Sequence, residues 1–137
     1  MANAITNIET EILNQIRTKA AFDANNTFAY EPFNIRGSPI VTLFYAGWEN
    51  ADEVMSDETK VHRWIIRLYV RMDDWEAAQD ALKGYVLDLE NALHSDRTLN
   101  RTCLWSTLMN GEVYIVPDDV AENFFLVAKM ELQARER

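Results

Sequence analysis

The sequence predicts an α+β fold: a mostly antiparallel sheet with two helices packed on one face. Three observations predict it. Two segments repeat their apolar residues at helical spacing, and several others alternate every second residue. The segments follow in the order α-β-β-α-β-β-β, which a two-layer sandwich accommodates. The size suits one such layer pair, because the chain has 137 residues, 48% of them hydrophobic, and single domains cluster near this length. There is no internal repeat and no Pro/Gly-rich linker, so residues 1–137 read as a single domain.

The first helix is expected from Thr6 to about Ala21, with Ile5, Ile8, Ile12, Ile16 and Ala20 on one stripe. Thr6 and Glu9 have capping-box spacing. Asn25-Asn26 then breaks the helix, and residues 22–38 form a connection carrying Pro32 and Gly37-Ser38-Pro39 as turn chemistry. Ile40 to Ala46 reads as a strand, apolar on both sides and therefore inside the sheet, ended by Gly47. Lys60 to Met72 is the clearest strand. Trp64, Ile66, Leu68, Val70 and Met72 point one way, and Arg63, Ile65, Arg67, Tyr69 and Arg71 the other. Asp73 opens the second helix with Glu76 three residues on. Its expected buried stripe is Trp75, Ala78, Leu82, Val86, Leu89 and Leu93, and it stops near His94-Ser95-Asp96. Cys103–Met109 and Glu112–Val116 read as strands joined at Asn110-Gly111, the favoured type I′ dipeptide. The last strand runs from about Asn123 to Ala134.

Composition excludes several classes. With 13 basic and 22 acidic side chains the formal charge is −9, which disfavours a protein built to grip nucleic-acid phosphates over a broad face. The single cysteine, Cys103, rules out a disulfide scaffold. No apolar run approaches a membrane span of about 20 residues, and no signal peptide is expected.

Catalytic chemistry finds no foothold in the sequence. His62 and His94 have no ligand partners at metal spacing, and Cys103 lies in an apolar strand as an inert thiol. Nucleophile elbows and phosphate-binding loops are absent from the sequence. Asp73-Asp74 and Asp118-Asp119 sit where aspartate caps helices and turns. The chain is expected to be no enzyme, with no metal, no cofactor and no catalytic residue.

Charge distribution gives the most unusual feature. Arg63, Arg67 and Arg71 recur every fourth residue along one strand face, about 13 Å apart by strand rise, with Ile65 and Tyr69 between them. Residues 49–58 hold five carboxylates, Glu49, Asp52, Glu53, Asp57 and Glu58, and no basic residue. The arginine row reads as a solvated face that discourages edge pairing, as a subunit interface, or as a nucleic-acid contact. If basic stripe and acidic loop meet between copies, they favour a head-to-tail ring.

One stretch suggests a family. Leu89 to Leu99 is a helix end followed by Asp-x-Thr-Leu, with Asp96, Thr98 and Leu99 in place. This resembles the tail terminator proteins of long-tailed bacteriophages, the group that includes the lambda-type minor tail protein U. Those proteins share the element layout and commonly carry a D-x-T-L-G-G-like stretch just after the second helix. Asn100 and Arg101 stand here in place of the two glycines.

The resemblance implies a virion structural protein. Such a protein forms a homo-hexameric ring on the tail tube, stops its polymerisation, and joins the tail to the head connector or neck. DNA passes through the lumen without specific binding. The implied location is the virion tail and neck, with assembly in the host cytoplasm and no membrane partner. The implied contact loop for the tube protein or a neighbour runs from Gly47 to Thr59, with Trp48, Glu49, Asp52, Glu53, Asp57 and Glu58 as its contact residues. Two alternatives are a head-completion or neck adaptor protein of the virion and a small cytosolic α+β enzyme or ligand-binding domain.

Overall fold

A computed structural model of the chain describes residues 3–32, 35, 37–50, 60–118 and 123–136. Helix α1 spans Ala4–Ile16 and buries Ile8, Ile12 and Ile16. It starts earlier than Thr6 because Asn3 is the N-cap, its side-chain oxygen accepting from the Thr6 amide at 2.8 Å. It also stops at Ile16, short of Ala21, and successive turns carry the chain to residue 21. Helix α2 spans Trp75–His94 and buries Ala78, Leu82, Leu89, Ala92 and Leu93. Its N-cap is Asp74, which accepts from the Glu76 amide, while Asp73 accepts instead from the Asn123 side chain. Trp75, expected in the buried stripe, is the first helical residue and lies exposed.

The strands are β1 (Thr27–Phe28), β2 (Ile40–Asn50), β3 (Lys60–Arg71), β4 (Cys103–Asp118) and β5 (Asn123–Glu136). They form one sheet in the order β1-β2-β3-β5-β4. Only the two-residue β1 is parallel to its neighbour; the other pairs are antiparallel. Both helices pack on one face through a single core. Ile8, Ile12 and Ile16 of α1 and Leu82, Leu89 and Leu93 of α2 meet Leu43, Trp64, Ile66, Leu68, Met130 and Leu132 of the sheet. This is the expected α+β class.

Two turn expectations differ. Gly47 does not end its strand, and β2 runs on to Asn50. Tyr45 pairs with Trp64 and Gly47 with Arg63, so Ala46 is an extra residue, and Gly47 at φ +121° absorbs the bulge. Asn110-Gly111 makes no hairpin. A type I′ turn needs positive φ at both residues, yet among the described residues the positive-φ positions include neither. Leu108 pairs with Leu132 and Gly111 with Met130, so Met109 and Asn110 bulge opposite one residue of β5. The long β5 offers a single continuous edge to both halves, and that ladder outweighs the local turn preference.

Candidate functional site

The sheet face turned away from the helices carries the arginine row, because β3 alternates as expected. The row sits on the central strand, so a partner must lie over the face. At one end of this face Ile40, Tyr69, Phe125 and Val127 form a second apolar cluster, against which Phe28 and Ile35 of the 27–39 connection pack. Glu31, from that connection, is the anchor. One of its oxygens accepts from Arg67 at 2.9 Å and from Thr42 Oγ1 at 2.6 Å; the other accepts from the Tyr69 hydroxyl at 3.0 Å. Burial, then the Glu31 charge, raise the Tyr69 pKa above its ordinary value. Arg71 lies over the Phe125 ring, 5.8 Å from its centroid, and its backbone amide donates to Ser38 Oγ.

Three of the five residues of the row are therefore engaged within the chain. The other two, Arg63 and Ile65, lie toward the far end of the face. The Nε of Arg63 is buried and makes no hydrogen bond among the described residues. Here β5 adds residues that the sequence reading missed. Lys129 pairs across from Arg67, and Arg135 from Val61, so both join the basic face. The signal was present in the period-2 alternation of the last strand, but Arg135 lies one residue beyond its expected end at Ala134. Lys129 and Glu112 approach to 3.7 Å beside a shallow hollow of about 270 Å³ lined by Ile65, Gly111 and Glu131.

Of the expected contact loop, Trp48 and Glu49 belong to β2; Trp48 is exposed, with Lys60 Nζ 5.9 Å from its ring centroid. Asp52, Glu53, Asp57 and Glu58 lie outside the described residues, and so does the acidic side of the expected charge pairing apart from Glu49.

His62 is buried beside the core rim. Its Nδ1 is 2.7 Å from the Tyr45 hydroxyl and its Nε2 is 3.7 Å from Glu136. Burial lowers its pKa and outweighs the opposing pull of Glu136. Trp64 fills the core next to it and donates to Glu9 at 3.1 Å. Cys103 is buried, its thiol 3.4 Å from the Thr98 carbonyl.

The Asp96-Thr98-Leu99 stretch is a turn in which every matched residue has a task. Asp96 Oδ1 accepts from the Thr98 amide and hydroxyl, and Oδ2 accepts from the Asn100 amide at 2.9 Å. Thr98 Oγ1 accepts from the Arg101 amide, and Leu99 is fully buried. The hydrogen bond from Thr98 comes first among the contacts that lower the Asp96 pKa. Leu99, Asn100 and Arg101 have φ of 48°, 56° and 64°. Three successive non-glycine residues in the left-handed region are costly, and the Asp96 and Thr98 acceptors hold them there.

No family model matches the chain. No curated protein matches it either. Among solved structures it is similar to a chain from the "Virion of native gene transfer agent (GTA) particle", at 10% sequence identity, with 93% of each chain covered and a TM-score of 0.48.

Proposed function

We propose that the chain is a virion structural protein, a tail terminator that forms a ring of six copies on the end of the tail tube. The ring stops tube polymerisation and presents its other side to the head connector, and DNA passes through its lumen. In this reading the protein is no enzyme and needs no cofactor. It works in the neck region of the virion after assembly in the host cytoplasm.

The observation that carries the reading is the turn after α2. The terminator-like stretch has glycine at two positions, and here those positions, Asn100 and Arg101, are in the left-handed conformation that favours glycine. The left-handed backbone at these two positions supports the resemblance carried by Asp96, Thr98 and Leu99. The end of the basic face that carries Arg63 and Ile65, with Arg135 on the same side of the sheet, is assigned to a neighbouring virion protein.

Polymerising tube protein with and without the purified chain tests the proposal. Tubes that stop growing at bound ends support it; tubes that grow equally long in its presence overturn it. In the same assay, R63E combined with R135E is expected to fold normally and lose capping.

A further inference from the structure

The sheet has two open ends. Among the described residues, no strand pairs with the outer side of β4, and β1 covers β2 only at Val41 and Thr42, leaving Leu43–Asn50 without an outer partner. Both free stretches expose large apolar side chains: Leu104, Trp105 and Met109 on β4, and Phe44 (50%) and Trp48 (58%) on β2.

These two edges lie level with each other. Leu43 pairs with Ile66, Ile66 with Met130, and Met130 with Gly111; at the far end Asn50 pairs with Lys60, beside Val61, Arg135 and Trp105. The free part of β2 is therefore at the height of Cys103–Gly111. That β4 stretch holds no charged residue, and Leu43–Asn50 holds one, Glu49. Edges that must stay unpaired are usually blunted by charge, proline or bulges. Here the blunting is limited to Glu49 and to bulges, those at Ala46 and Met109–Asn110 lying within about two residues of one level and that at Leu104 nearer the far end. Such bulges curl a sheet, as closure demands.

The direction of the strands decides the occupant. From β2 through β3 and β5 to β4 each step is antiparallel, so β4 runs opposite to β2. Copies related by rotation about an axis along the strands therefore bring β4 of one against β2 of the next in antiparallel sense. We infer that the occupant of each edge is a second copy of this chain. β4 Cys103–Gly111 pairs with Leu43–Asn50 of its neighbour, and the sheet continues from copy to copy. This inference rests on the ring proposed above and names its subunit contact.

The test is solution mass by light scattering, with circular dichroism to confirm folding. L104K/M109K blocks the β4 edge and F44K/W48K blocks the β2 edge, all at exposed positions. Each variant is expected to be a folded monomer, and an equimolar mixture is expected to give dimers, since one good edge of each kind is left. A wild-type ring with an L104K/M109K variant of unchanged mass overturns this inference alone. An F44K/W48K variant that still self-associates through β4 also overturns it. A wild type that stays monomeric overturns the ring as well. If the lysine variants fail to fold, N50C with L104C in the otherwise unaltered chain is expected to give a disulfide-linked ladder on oxidation; monomer alone overturns the contact.

Discussion

The Asp96 carboxylate holds the start of a left-handed run by accepting from the Thr98 and Asn100 amides. D96A removes these acceptors and is expected to cost about 1 kcal/mol, as for loss of a helix cap, read as a lower urea midpoint. Its folded pKa lies below the ordinary value of 3.8, so its stabilisation is present above that value and is lost as pH falls through the folded one. D96N should flatten that acid limb. His62 has the opposite chemistry and the same direction of loss. Its folded pKa is below 6.5, so the unfolded chain takes up the proton first. Stability should be level above 6.5 and fall as the pH drops below it. H62Q is expected to remove this dependence in urea titrations between about pH 7.5 and 5. Glu31 ties the 27–39 connection to Arg67, Tyr69 and Thr42. E31A should cost about 1 kcal/mol, part of it discounted for solvent screening.

At the scale of elements, α2 and β3 were the most legible in sequence, because their periodicities are long and unbroken. Trp64, Ile66 and Leu68 face the core and Arg63 and Arg67 the other side, as alternation requires. L132A, on the β5 strand beside them, is expected to cost about 3 kcal/mol in thermal or urea unfolding. Bulges were illegible. Gly47 and Asn110-Gly111 look like strand ends from local preference, yet each lies within a strand because a partner strand runs past it. β1 was also invisible, since Thr27-Phe28 is only two residues long and has no pattern of its own. The capping positions shifted by one to three residues, because Asn3 and Asp74 offered oxygens at the right place.

For the whole molecule, the row of three arginines was readable in sequence, but its division was not. Glu31 lies 36 residues from Arg67, and only the fold shows that it pairs with Arg67, whereas Arg63 lies across from Gln133. The −9 charge is thus set against a sheet face where arginines and lysine outnumber acids, with the net acidity carried by other parts of the chain. Edge-to-edge pairing of copies would turn these basic faces to one wall of the ring, toward a virion partner. The direct test is the light-scattering mass of the purified chain, alone and with tail-tube ends. A closed assembly of six times the 15.9 kDa chain that binds tube ends is the predicted result. A monomer that ignores tubes, or twelve copies seated on a portal, would contradict it.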